Sequence, residues 1–345
     1  MNAVDQAAQI LLDAFNNRQP IEGLPDEMKP SSVDGGYAIQ QAGHRLSGVQ
    51  LGPWKVGATS VAGQQFLGID APFVGRPHLS RVLSDGAKIS LDEWFVGPTA
   101  IEVEIGLVPL TDLTDIPDDP LDLASVVDVV GCFELVNSRF TDLVRPGAPS
   151  LIADNAVSSV IVQGDSLGLN EQQIRELDQL VVALCVNGSE QVAATGASAL
   201  GHPLNVLQFV ARKAIEWSTP IAAGELVITG TCTGMVPPTA GMSIAGRFAD
   251  SQIAAMFRPR PSGRNSLDES RNANAHMPSI QVASFQGERL LPVPARQTMD
   301  PNVRCDARRR QRRRHVDSRC RRRRHVASNV RVPVDGDATV EHRSH

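Results

Sequence analysis

Glu102 and Glu104 stand two residues apart in Ala100-Ile101-Glu102-Val103-Glu104-Ile105-Gly106, where apolar and acidic side chains alternate. Successive side chains of a β-strand point to opposite faces, so Ile101, Val103 and Ile105 take one face and both glutamates the other, about 7 Å apart at the backbone. Two such carboxylates in a partly buried pocket repel, and one takes up a proton unless a cation compensates. Alone, the segment also describes the solvated face of an edge strand. A third acid narrows the choice. Gly131-Cys132-Phe133-Glu134-Leu135-Val136 embeds Glu134 in an apolar run, where a lone carboxylate demands a partner. That partner is either a cation shared with Glu102 and Glu104 or a salt bridge to Arg139 or Lys55. Ligation by three carboxylates, with water completing an octahedron, suits Mg²⁺ or Mn²⁺ rather than zinc.

Strands must position these acids. Apolar periodicity predicts helices over 3–15 and 33–46, with a Pro-rich loop at 20–30 between them. From Trp54 onward, short apolar runs punctuated by Gly and Pro predict strands at 54–58, 100–108, 129–135, 158–163, 180–186, 226–229 and 242–247. One further helix begins at Pro203, a residue suited to the first turn, and ends before Pro220. Strands outnumber helices and do not alternate regularly with them, so an α+β domain is expected rather than a doubly wound parallel sheet.

The charge is unevenly divided. Residues 1–257 carry 13 Lys and Arg against 29 Asp and Glu, and residues 258–345 carry 20 against 9. An acidic body repels nucleic acid and anionic membranes, so an anionic substrate needs local positive charge. The N-terminus has no basic n-region, and no apolar run approaches the length of a membrane span, which points to a cytoplasmic protein. Cys132, Cys185, Cys232, Cys305 and Cys320 form no CxxC pair, so neither a zinc knuckle nor a disulfide framework is expected. The basic residues of the last part are all Arg, in runs at 308–314 and 319–324, and its apolar residues lack a period. Such a segment buries too little surface to offset its ordering entropy, so disorder is expected over 259–345. Three readings compete there: a frameshifted extension, a solvated tail and a nucleic-acid-binding arm. The missing Lys favours the first.

Several motifs share one order. Trp54-Lys55-Val56-Gly57-Ala58-Thr59, Ile101-Glu102-Val103-Glu104, Phe133-Glu134-Leu135-Val136-Asn137-Ser138-Arg139, Asp154-Asn155-Ala156, Ala199-Leu200-Gly201-His202-Pro203-Leu204 and Thr229-Gly230-Thr231-Cys232-Thr233-Gly234 succeed one another. In this the chain resembles the 2-keto-4-pentenoate hydratases, within the wider fumarylacetoacetate hydrolase superfamily, over residues 3–257. The resemblance implies a mixed β-sandwich roll, homo-oligomerisation, and a Mg²⁺ or Mn²⁺ site at Glu102, Glu104 and Glu134. It implies an N-terminal helical segment over 1–50 and a catalytic domain over 51–258. The chain departs from the family pattern in Gly-Cys-Phe before Glu134, in Asn137 where Asp is usual, and in His202 where Asn or Asp is common.

The expected reaction is addition of water to a 2-hydroxy-2,4-dienoate, giving a 4-hydroxy-2-oxo acid. The metal would chelate the carboxylate and the 2-oxygen of this small 2-oxo acid substrate. Lys55 would supply positive charge or a proton near the substrate carboxylate. Arg139 is a candidate to orient a carboxylate, Asp154 and Asn155 to line the pocket or cap a turn, and Thr231 and Thr233 to cradle the substrate carboxylate. His44 and His78 lack a motif context and are read as structural. Nucleophilic catalysis is not expected, since no nucleophile elbow, no credible Cys/His pair and no phosphate-binding Gly loop stands out. Rival readings are an acylpyruvate C–C hydrolase, a 2-oxo diacid decarboxylase, and an inactive scaffold or nucleic-acid-associated protein acting through the tail.

Overall fold

The computed structural model describes residues 1–143 and 145–259, so the Arg-rich tail lies outside the described residues from position 260 on. Helix α1 (Ala3–Asn17) and helix α2 (Val33–Ser47) open the chain, each started by a side-chain cap: Asn2 accepts the Asp5 N–H and Ser32 the Gly35 N–H. There follow β1 (Trp54–Gly57), α3 (Val61–Leu67), β2 (Phe73–Gly75), β3 (Val82–Ser84), β4 (Ala87–Ile89), α4 (Leu91–Trp94), β5 (Thr99–Pro109) and β6 (Val127–Asn137). Next come α5 (Ala148–Ala153), β7 (Val160–Ser166), α6 (Glu171–Arg175), β8 (Val181–Val186) and β9 (Ser189–Thr195). Helix α7 (Pro203–Glu216), β10 (Val227–Ile228), β11 (Ser243–Phe248) and β12 (Ser251–Phe257) complete the described part.

Two mixed sheets result. A seven-stranded sheet runs β2-β1-β10-β5-β6-β7-β3, and a five-stranded sheet runs β4-β12-β11-β8-β9. The alternation along β5 now has a structural cause. Ile101, Val103 and Ile105, with Phe133 and Leu135 of β6, face the five-stranded sheet and pack with Val182, Leu184, Ile244, Phe248 and Ile253 in one buried cluster. Full burial of each large side chain contributes about 1.5–3 kcal/mol, so this interface is the main adhesive of the domain. This is the mixed β-sandwich expected from the motifs, with a helical segment at its N-terminus.

The other face of the seven-stranded sheet carries the acids. The hairpin register sets Glu102 directly opposite Glu134 and Glu104 opposite Cys132. Helices α1, α2 and α5 pack together through Ala8, Leu11, Ile39 and Leu151, with Phe140 just beyond β6. Buried Gln40 ties α2 to the sheet, its Nε2 donating to the carbonyls of Val74 (2.9 Å) and Ile152 (3.0 Å). Strands β2, β3 and β4 were not predicted because three residues are too few to show a period. Strands β9 and β12 were not predicted either, and β12 does carry an alternation of Ile253, Ala255 and Phe257 on its buried side. No helix among the described residues is long and apolar enough to cross a membrane.

Candidate metal centre

The three predicted acids converge. One carboxylate oxygen from each of Glu102, Glu104 and Glu134 lies within 4.8 Å of the others, and all three residues are buried. Strand pairing explains it: Glu134 faces Glu102 across the β5–β6 ladder, and Glu104 follows on the same face. Burial first, then the neighbouring Glu134 carboxylate, pushes Glu102 up to about 8, and Lys55 pulls the other way. Burial and the two other glutamates raise Glu104 well above the usual carboxylate range. Burial raises Glu134 also, against the opposing charge of Lys55.

Lys55 is the cation of the cluster. It projects from β1, is 2 % exposed, and sits with Nζ 3.3 Å from Glu134 Oε1. Its best hydrogen bond goes to the Ala156 carbonyl at 2.8 Å. The Lys55–Glu134 approach is an ion pair by distance only, because neither Glu134 oxygen has a hydrogen-bond partner of good geometry. Glu104 Oε1 is likewise buried without a partner, while Oε2 accepts the Gly230 N–H at 2.8 Å. Gly230 has φ 88 and packs against Thr59, so a side chain there would meet both strain and a steric wall. With all three carboxylates ionised, one ammonium would leave two negative charges uncompensated, and three buried carboxylate oxygens have no hydrogen-bond partner. A divalent cation corrects both, and the donor set is all oxygen.

The loop after β10 seals this site. Residues 229–236 run beside β5 as an irregular strand, with Thr229 N–H donating to the Ile105 carbonyl, Cys232 N–H to Val103, and Val236 N–H to Ile101. Thr233 Oγ1 accepts the Val103 N–H at 3.4 Å, and Thr231 Oγ1 donates to the Gly234 carbonyl at 3.1 Å. Both threonines therefore hold the turn beside Glu102 and Glu104.

Arg139 and Asp154 form a separate buried unit. The guanidinium pairs with the Asp154 carboxylate and with the Asp154 and Ser158 carbonyls, and the carboxylate also accepts from Ser138 Oγ (2.7 Å) and Arg139 N–H (3.0 Å). None of these bonds reaches the three glutamates. Asn155 is a clamp: Nδ2 donates to the Arg76 carbonyl (2.6 Å), and Oδ1 accepts the Arg76 N–H (3.1 Å) and meets His44 Nε2 (2.9 Å). Burial, helped by nearby Arg76, pushes His44 down to about 4, so at neutral pH its uncharged ring donates through Nε2–H. Asn137 accepts the Val96 N–H and donates to the Gly97 and Pro98 carbonyls, and His202 caps α7 by accepting the Leu204 N–H on Nδ1.

Sequence reasoning missed the turn that presents Ala156. Asn155, Ala156 and Val157 have φ of 52, 55 and 53, three successive left-handed residues without a glycine. A β-branched residue there is an outlier of the kind that clusters at functional sites. Gly75 of β2 lies so close to the Asn155 carbonyl that a Cβ would collide with it, so the turn is pressed against Lys55 from outside. The only signal in the sequence was the Asp154-Asn155-Ala156 motif. Contrary to the reading of the sequence, a segment with the spacing of a nucleophile elbow is present at Gly164-Asp165-Ser166-Leu167-Gly168. Ser166 Oγ instead donates to Asp128 (2.7 Å) and accepts the Gly168 N–H (3.1 Å), in an exposed turn.

No family model matches the chain. The chain is 35% identical to the 2-keto-4-pentenoate hydratase of Paraburkholderia xenovorans (strain LB400) over 238 residues, 67% of this chain and 86% of that protein. It is 31% identical to the 2-keto-4-pentenoate hydratase of Burkholderia vietnamiensis (strain G4 / LMG 22486) over 255 residues, 72% of this chain and 93% of that one. Among solved structures, 4-oxalocrotonate decarboxylase from Pseudomonas putida G7, complexed with magnesium and adipate, superposes with a TM-score of 0.65 at 25% identity, covering 74% of this chain and 97% of that chain.

Proposed function

The chain belongs to the 2-keto-4-pentenoate hydratase family, and on that footing we propose that it adds water to a 2-hydroxy-2,4-dienoate, giving a 4-hydroxy-2-oxo acid in the catabolism of aromatic rings. The observation that carries this reading is the convergence of Glu102, Glu104 and Glu134 with charge to spare for a dication. These three residues would hold the metal, which we assign as Mg²⁺ or Mn²⁺ from the all-oxygen set. When bound, such an ion supplies Lewis-acid polarisation of a 2-oxo group and charge for the enolate.

The rest is the work of the chain. Lys55 has three N–H donors, of which the Ala156 carbonyl takes one and Glu134 attracts a second, leaving one for the substrate carboxylate. The buried ammonium also stands ready to deliver a proton at C5 of the dienol as the enol O–H is lost. Water then adds hydroxyl at C4 and hydrogen at C3. The 229–236 segment, with Thr231 and Thr233, walls the site and offers its turn to the carboxylate. Asp154 and Arg139 hold the frame from which Asn155 and Ala156 project. Free buried Cys132, Cys185 and Cys232 suit a cytoplasmic enzyme, and the family reading includes a homo-oligomer, checked by light scattering.

The likeness to a decarboxylase keeps one second reading, loss of CO₂ from a 2-oxo diacid on the same site. Full-length protein loaded with Mg²⁺ or Mn²⁺ is assayed with 2-hydroxypenta-2,4-dienoate, with 4-oxalocrotonate and with fumarylpyruvate. Turnover of the dienoate to 4-hydroxy-2-oxopentanoate is expected. Turnover of either diacid without the dienoate overturns the hydratase reading.

A further inference from the structure

Beyond its last residue, Gly57, strand β1 turns through a left-handed kink: Ala58, which lacks a glycine's freedom, has φ 57. The kink lays Thr59 on Gly230, so closely that a Cβ on the glycine would collide with both Oγ1 and Cγ2 of Thr59. Gly230 is the residue whose N–H holds Glu104 Oε2, so Thr59 touches the residue that touches the acid cluster. The backbone around it is tied on both sides. The Thr59 carbonyl accepts the Leu200 N–H (2.9 Å), Gln64 Nε2 donates to the Ala58 carbonyl (3.0 Å), and Ser60 starts α3 by accepting the Gly63 N–H (3.1 Å).

Three threonine hydroxyls stand near the acids, and their bonds differ. Thr231 Oγ1 is committed, donating to the Gly234 carbonyl (3.1 Å) and accepting the Thr233 N–H (3.3 Å). Thr233 Oγ1 accepts the Val103 N–H. Thr59 Oγ1 has no hydrogen-bond partner among the described residues, and although the residue is only 5 % exposed, this oxygen is not sealed from solvent as Glu104 Oε1 is. Buried polar side chains are nearly always paired, and a hydroxyl that is held in place, reachable and idle marks where a ligand atom belongs. The ligand of the hydratase reading is an anion that comes up to three acids, so its carboxylate needs donors besides the metal and Lys55, and a hydrogen bond to a charged acceptor is among the strong ones.

We propose that Thr59 is a substrate-binding residue, its hydroxyl donating to the carboxylate end of the 2-oxo acid at the metal centre; the hydratase reading supplies only the class of ligand. The probe is 2-oxopentanoate, which has no diene to hydrate, titrated calorimetrically into full-length Mg²⁺-loaded protein, with Mg²⁺ affinity measured separately for each variant. Thr59→Val keeps the shape and removes the hydroxyl, and is expected to weaken probe binding about tenfold or more while Mg²⁺ affinity stays within about twofold. Thr59→Ser keeps the hydroxyl and is expected to bind the probe within about threefold of wild type. In the hydration assay Thr59→Val is expected to raise the Michaelis constant by a like factor and to leave turnover within about threefold. Should Thr59→Val fail to fold, Thr59→Ala removes the same hydroxyl and is read in the same way. Probe binding unchanged by loss of the hydroxyl overturns the proposal, since the group then meets water alone. So does an equal loss of Mg²⁺ affinity, which makes Thr59 a buttress for Gly230 and Glu104, or equal weakening in Thr59→Ser, or absence of probe binding to the wild-type protein. Because the probe is not turned over, failure to hydrate the dienoate with these binding differences intact sinks the hydratase reading and leaves the role of Thr59 standing.

Discussion

Strand β6 and the residues just after it hold two buried clusters of charge, and they are built on opposite principles. Around Arg139 and Asp154, one base meets one acid, and both carboxylate oxygens have donors from Ser138 and Arg139. Around Glu134, three acids meet one base, and both of its carboxylate oxygens lack a hydrogen bond of good geometry. The first cluster is complete within the chain and serves to hold the fold. The second is complete only with something added. Burial and charge alone do not separate structure from chemistry here, but the state of the hydrogen-bond partners does.

The comparison breaks most visibly by deleting one acid from each cluster. Asp154→Ala strands a buried guanidinium, and a loss of about 3–5 kcal/mol is expected in urea unfolding. Glu134→Gln has the opposite sign for the metal-free protein, which gains stability because a repelling charge is gone, while hydration activity falls by about 100-fold or more. If both variants destabilised the metal-free protein alike, the contrast would be void.

A pH series sharpens it. With EDTA present, Glu102 keeps its proton in the folded protein up to about 8, against 4.5 for the ordinary carboxyl. A raised folded pKa gives stability that is full below the unfolded value and is lost as pH rises toward the folded one. The thermal midpoint of the metal-free protein should therefore fall between pH 4.5 and 8 and level off above, and Mg²⁺ should restore it at the alkaline end with release of protons. A midpoint that rose across this window would refute the carboxyl assignment. The smallest effect is expected at His202, which caps α7 through Nδ1 and meets the Arg175 carbonyl through Nε2: His202→Ala should cost about 1–2 kcal/mol in stability and leave the Michaelis constant and turnover unchanged.

Much of this was legible in the residues. The alternation from Ile101 to Ile105 has a two-residue period over a long strand, so it fixed which side chains share a face. Glu134 stood out because an acid in an apolar run needs a reason. Register was not legible: nothing local says that Glu102 pairs with Glu134, since pairing depends on the length of the connection and the packing of the other face. The left-handed turn at Asn155–Val157 was hidden because no glycine marks it. Arg139 and Asp154, fifteen positions apart, gave no local sign that they would satisfy one another rather than face a substrate.

Strands β5 and β6 lie in the interior of their sheet, with β10 on one side and β7 on the other. Their amides therefore open to solvent only when the whole domain does. An ion held by Glu102, Glu104 and Glu134, as proposed, would leave behind strands still paired on both sides, so the protein would act as a socket whose shape survives exchange and the choice of ion would fall to supply and fit.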